Sequence, residues 1–359
     1  MAQDDRTPTL HFYLHPTFWP MGEIPETADA YWPGFDFGPY TWTVQTALRL
    51  THAGIPCQLV RELPEHGIVI AQRESLAAID GKFTERVTAT ATRFVVDMSA
   101  DLAPYRGANL HIVQNHAMTR YGSSFIYSRL WPQSGLIPRD RGRGQRFENI
   151  SYLGNAKNLV AELRSPRWLA ALADRQLTWR APAKAFDYAE PESYHLAGDW
   201  RDYTTVDAII AVRGFSARPA ASDDRKPASK LFNAWAAGVP AILGRESAYR
   251  AERRSELDYL EVGDYDGLVG ALDRLRSDAG LREAMIENGL RRAPEVTAAA
   301  TTEAWRAIVF NRIWPAYQEW TAMSPTGQRW RVGRKTLRFQ AVRSQRALAR
   351  LGARWLPIG

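Results

Sequence analysis

Short apolar, β-branched runs alternate with helical stretches along the chain, and this alternation begins afresh near its middle. Runs this short, each followed by a segment of helical spacing, are the pattern of parallel strands covered on both faces by crossover helices. In the first half TLHFYLH, PCQLV, HGIVIA, TRFVVDM and NLHIVQN are expected as strands, with SSFIYSRL a further candidate. TWTVQTALRLTHAGI is expected as a helix that ends at Gly54. The second half repeats the scheme: ENISYLG, LTWRAP, TTVDAIIAVRG and VPAILG as strands, and NLVAELRSPRWLAALAD, SKLFNAWAAG and YDGLVGALDRLRSDAGLREAMIENG as helical segments. Between the halves lies WPQSGLIPRDRGRGQR, rich in Pro, Gly and Arg and without apolar period, so a boundary is expected near residues 140–148.

With 359 residues there is room for two cores. The single cysteine, Cys57, cannot form an internal disulfide or a thiolate metal cluster, which excludes a disulfide-stapled secreted domain and is compatible with a reducing compartment. MAQDDRTP carries acids where a signal peptide has bases, and stretches such as VDAIIAV are far too short to cross a bilayer. A cytoplasmic protein is expected. The net charge of +7 is uneven: residues 325–359 hold nine Lys/Arg and no acid, leaving 37 bases against 39 acids elsewhere. The body is nearly neutral, unlike a nucleic-acid-binding domain, and no nucleic-acid partner is expected.

The most informative segment is KPASKLFNAWAAGVPAILGRESAY, residues 226–249. Ser229 is expected to cap a helix, Gly238 to end it in the left-handed region, and Pro240 to lead into a buried strand. A helix start beside Lys230 is a ready anion site, and Asn233, one turn on, is placed to reach a ribose hydroxyl.

S-K-L-x-N-A-W-x-A-G-V-P-A-I-L-G resembles the donor-binding helix of the group 1 glycosyltransferases, whose two facing Rossmann-like domains form the GT-B fold. FENISYLGNAKNL, WRDYTTVDAIIAVRG and WPQSGLIPR follow the family's order, and the likeness covers roughly residues 136–300. It implies an α/β chain of two facing Rossmann-like domains with a C-terminal crossover helix, to which the sequence adds a basic amphipathic tail. The corresponding divisions are 1–143 for the acceptor, 144–302 for the nucleotide sugar, 303–324 for the crossover helix and 325–359 for the tail. The family's acidic pair, spaced E-x7-E, falls here on Arg225 and Asn233, neither of them acidic. Glu246, just after VPAIL, is then the substitute carboxylate for ribose or sugar hydroxyls, since ligands of open α/β sheets sit at the carboxyl ends of strands.

Arg213 at the end of DAIIAVR, and Gly154, Asn155 and Lys157 in the turn after ENISYL, are expected at the same crevice. The two cations and the helix dipole would stabilise a departing nucleoside diphosphate, so neither a metal nor a cofactor is expected. HExxH, CxxC, GxGxxG and Walker-type patterns are absent from the sequence. On the acceptor side the long loop of residues 15–42 offers Trp19, Trp32, Tyr40 and Trp42 as surfaces for sugar C–H groups. His15 and Asp36 are the candidate bases, with Asp97 and Asp101 in reserve.

In the tail Leu337, Ala341, Leu348, Leu351 and Trp355 share one helical stripe opposite Lys335, Arg343, Arg346, Arg350 and Arg354. Such a helix packs on the first domain or lies on an anionic membrane surface. Together these features predict transfer of a sugar from a nucleotide sugar to a carbohydrate or lipid-linked acceptor, in polysaccharide biosynthesis. A non-hydrolysing nucleotide-sugar epimerase and a noncatalytic nucleotide-sugar-binding scaffold are the alternatives.

Overall fold

A computed structural model describes residues 8–19, 23–78, 83–181, 200–215 and 223–331. In chain order the first half contains β1 (Leu10–Tyr13), α1 (Gln45–His52), β2 (Cys57–Val60), β3 (Gly67–Gln72), α2 (Arg73–Leu76), β4 (Arg93–Ala100), β5 (Leu110–Val113) and β6 (Phe125–Tyr127). The strands form one parallel sheet in the order β2-β1-β3-β4-β5-β6. The second half contains β7 (Asn149–Ser151), α3 (Pro166–Ala173), β8 (Thr178–Arg180), β9 (Ala208–Ala211), α4 (Ser229–Ala237), β10 (Ala241–Gly244), α5 (Ser247–Glu252), β11 (Leu260–Val262), α6 (Tyr265–Ser277) and α7 (Ala279–Arg292). Its parallel sheet runs β11-β10-β9-β7-β8. Two further helices follow, α8 (Ala298–Ile308) and α9 (Trp314–Ala322).

The near-continuous apolar strands follow from burial on both faces. Along β4, Phe94, Val96 and Met98 enter the core that also holds Trp42 and Leu50, while Val95 enters a separate core with Val69, Leu76 and Tyr105. The first of these cores also takes in side chains of α8 and α9. Trp305, Ile308, Val309, Ile313 and Trp320 pack into it, and Trp320 donates from Nε1 to the Thr90 carbonyl at 2.9 Å. The expected crossover helix is therefore present, and it absorbs Pro315 through a π turn over Val309–Ile313 before α9 starts.

Local chemistry explains where elements start and stop. Gly54 takes φ +76° after α1 and Gly238 takes φ +67° after α4, both in the left-handed region that favours glycine. The segment 158–174 is not one helix: Ser165 accepts from the Trp168 N–H and Pro166 opens α3, with 3-10 turns before it. Strand β11 and helix α5 have too little periodic sequence to be expected in advance. The Arg-rich stretch between the halves is anchored to the second sheet, because Arg139 and Arg143 pair with buried Asp207 at 2.8 and 2.7 Å. Asp207 also accepts from the Glu148 and Asn149 N–H groups. The amphipathic stripe expected from Leu337 to Trp355 lies outside the described residues.

Candidate functional site

In each sheet the chain first steps one way and then returns past its starting strand, which creates a switch point between β1 and β3 and another between β7 and β9. Crevices open at the carboxyl ends of strands at such points. Between the two sheets lies a cleft of about 660 Å³, lined by Asp36, Trp42, Gln72, Glu74 and Asp101 from the first half. Lys157, Arg225, Lys226, Ser229, Lys230 and Asn233 line it from the second.

The wall formed by α4 differs in one detail from expectation. The residue that caps α4 is Ala228, not Ser229, and its side chain makes no capping hydrogen bond. Ser229 is the first helical residue and faces the cleft. Lys230 beside it is half-buried, and among the described residues no carboxylate pairs with it. Burial, reinforced by the charge of Arg213, lowers its pKa to about 8. Gly154 lets this side chain lie close: a Cβ there would sit 3.0 Å from the Lys230 Cε and from the Tyr152 hydroxyl. Asn155 is buried and its Oδ1 accepts from the Lys157 N–H at 3.1 Å, fixing the turn that carries Lys157 into the cleft.

Other expected donor residues have different surroundings. Glu246 is 4% exposed and ion-paired with Arg213, so its carboxylate serves that guanidinium. Neither residue lines the cleft. Asn233 does, but it is buried and donates from Nδ2 to the Gln133 Oε1 at 3.4 Å. Gln133 in turn donates to the Asp36 Oδ1 at 3.4 Å. This Asn233–Gln133–Asp36 chain links the two halves across the cleft. Gln133 has no motif around it, and only these two contacts across the cleft make it significant.

On the first-half wall, Asp36 lines the cleft and also accepts from the Tyr31 hydroxyl at 3.0 Å. Burial raises its pKa, opposed by the Tyr31 hydrogen bond and by Arg201. His15 is withdrawn: it is 7% exposed, stacked on Phe83 with ring centroids 3.6 Å apart, and its Nδ1 accepts from the Thr17 N–H. Trp19, Trp32 and Tyr40 pack the long loop onto Leu14, Phe18, Phe35 and Phe37 instead of facing the cleft. Only Trp42 of the four aromatics reaches it, at 5% exposure. Asp97 is wholly buried, accepting from Ser99, Tyr105 and His111. Asp101 lines the cleft in an ion pair with Lys226; burial opposes its ionisation, and the lysine holds its pKa below the usual carboxylate range.

The turn before α4 is held from the first half by several contacts. Besides the Asp101–Lys226 pair, Arg120 meets Asp224 at 2.9 Å and Asn115 donates to the Lys226 carbonyl at 3.1 Å. Further along, Tyr127 donates to Glu252 at 2.6 Å and Arg129 pairs with it at 3.0 Å. Among the described residues no group of three or more His, Cys, Asp or Glu is placed to hold a metal, and no helix is long and apolar enough to cross a membrane.

Comparison with known proteins adds likeness of fold. The GtfA/B complex is similar with 11% identity over 70% of this chain and a TM-score of 0.43, and the match spans 57% of the GtfA/B chain. Anabaena HepE in complex with UDP is similar with 12% identity over 73% of this chain and 88% of its own, at a TM-score of 0.45. AviGT4, a glycosyltransferase involved in avilamycin A biosynthesis, is similar with 12% identity over 88% of this chain and 98% of its own, at a TM-score of 0.42. No family model and no curated protein matches the sequence. Likeness at this level carries no functional argument. The two parallel α/β sheets are established by their own strand pairing.

Proposed function

We propose that the protein is a glycosyltransferase of GT-B type, which moves a sugar from a nucleotide sugar to a carbohydrate or lipid-linked glycan. The observation that carries this reading is Lys230: a half-buried ammonium without a carboxylate partner among the described residues, on the first turn of a helix with no side-chain cap, at the wall of a cleft between two α/β sheets. A diphosphate supplies the charge that this lysine and the open N–H groups of α4 can accept. Lys157, in the turn that follows β7, also lines the cleft and adds a second cation.

In the reaction the bond from the sugar's anomeric carbon to the diphosphate oxygen breaks, and the acceptor oxygen forms the new bond. The negative charge that grows on the leaving diphosphate falls beside Lys230, Lys157 and the α4 dipole, which act without a metal. The acceptor proton passes to a base on the opposite wall. Asp36 fits that role in place of His15, because it lines the cleft and its burial raises its basicity. Tyr31 and Gln133 hold it in position. Asn233 keeps its side-chain oxygen as an acceptor for a ribose hydroxyl while its amide group is tied to Gln133.

The direct test is calorimetry with UDP, the ligand of the HepE complex, followed by GDP, dTDP, ADP and CMP. Lys230→Ala removes a charge-assisted contact and is expected to weaken the nucleotide that binds by about 10- to 150-fold. Unchanged affinity in a folded Lys230→Ala protein excludes this site. Release of free nucleoside diphosphate during turnover separates transfer from the epimerase and scaffold alternatives.

A further inference from the structure

The cleft holds one more cation than leaving-group binding requires, and its surroundings define what it is for. Arg225 lies in the turn just before α4. Its neighbours on either side are both tied to the first half of the chain, Asp224 by Arg120 at 2.9 Å and Lys226 by Asp101. The Lys226 carbonyl is held as well, by Asn115. These contacts fix the backbone at Arg225, and its side chain lines the cleft. Lys226 is neutralised by its own carboxylate. Arg225 is not: its Nε is buried without an acceptor, and no carboxylate among the described residues pairs with its guanidinium. A buried guanidinium N–H without an acceptor is costly unless a ligand satisfies it.

Arg225 stands where the resembling glycosyltransferases carry the first acid of E-x7-E. A carboxylate at such a place accepts hydrogen bonds from neutral hydroxyls. A guanidinium only donates, in a planar fork matched to a carboxylate or a phosphate, and the phosphates already have Lys230, Lys157 and the open N–H groups of α4.

We infer that the cleft takes a carbohydrate bearing a carboxylate, a uronic acid, and that Arg225 selects it. This rests on the nucleotide-sugar reading proposed above and adds to it the acidic class of one of the two sugars. The acid sits either on the transferred sugar or on the acceptor, and paired ligands tell these apart.

Calorimetry on the full chain begins with the nucleoside diphosphate that binds. The donor arm compares its hexose with its hexuronate, such as UDP-glucose with UDP-glucuronate. The acceptor arm compares methyl glucoside with methyl glucuronoside in the presence of that nucleotide. In one arm the acidic ligand should bind at least about tenfold more tightly than its neutral twin. Arg225→Gln should reduce that preference to about twofold or less while nucleotide affinity stays within about threefold, and Arg225→Lys should retain part of it. Retained nucleotide binding shows that the variant is folded. Equal binding of acidic and neutral twins in both arms, with nucleotide binding intact, overturns this inference and leaves the donor site standing. A preference that survives Arg225→Gln also overturns it. Failure of every nucleotide to bind overturns the donor site itself, and the acid selection with it.

Discussion

Lys230 makes the proposed donor site a titratable one. Burial, with Arg213 next in effect, lowers its pKa to about 8, so the protein without ligand carries the lysine about nine-tenths protonated at pH 7 and about one-tenth protonated at pH 9. A bound diphosphate favours the ammonium and raises the pKa in the complex. Affinity contributed by the charge is therefore fully present below the free-protein pKa and is lost as the pH rises through it towards the higher value of the complex. Between pH 7 and 9 the expected loss is about tenfold, or about 1.4 kcal/mol. Isothermal titration of a nucleotide sugar across this range reads it directly, with Lys230→Arg as the reference because arginine keeps its charge throughout. The reference also cancels ionisation of the base. Wild-type affinity that falls no more steeply than that of Lys230→Arg refutes the reasoning, since the lysine would then not be meeting the phosphates.

Other outcomes test other parts of the structure. Transfer should persist in EDTA if cations and the α4 dipole supply the stabilisation; loss that Mg²⁺ or Mn²⁺ restores would require a metal site instead. Gly154→Val should press on the Lys230 Cε and the buried Tyr152 hydroxyl, weakening nucleotide affinity several-fold in a protein that still melts cooperatively, and unaltered affinity would show that the close approach is unimportant. Trp305→Ala should cost about 3–5 kcal/mol in urea unfolding, because the side chain is wholly buried in the first core; a loss below about 1 kcal/mol would mean that α8 contributes little there. The seven bases beyond Arg331 should bind anionic vesicles at low salt. Truncation after Arg331 preserves the Gln328 contacts to Ala91 and Trp320 and should abolish the association, which is disproved if the full chain ignores such vesicles.

Apolar periodicity reported the two sheets well, because strands buried on both faces must be apolar wherever they run. TRFVVDM and VPAIL became central strands for that reason. The same signal says nothing about which polar side chains meet across a cleft. Ser229, Lys230 and Asn233 came from one local motif, and all three line the same wall. Gln133, Gln72 and Glu74 reach the cleft only because strands distant in sequence lie side by side. The aromatic loop misled for a different reason. Composition identifies Trp19, Trp32 and Tyr40 as large apolar surfaces but does not say whether a sugar or the loop itself covers them, and here the loop does. Glu246 shows the matching ambiguity for charge, since a carboxylate at a strand end serves a ligand or a neighbouring arginine, and Arg213 takes it.

The return of α8 and α9 to the first sheet fixes an order of events during synthesis. The strands from Leu10 to Tyr127 leave the ribosome long before Trp305, which completes their core. At about 5–20 residues per second, the roughly 180 residues from Ile126 to Trp305 take on the order of 10–35 s to be made. Throughout that interval one apolar face of the first sheet lacks its final cover, while the second domain has time to assemble on its own. A nascent chain stalled before Ala298 would present a finished second domain beside a first domain with an open core, a form that chaperones and proteases can distinguish from the complete protein.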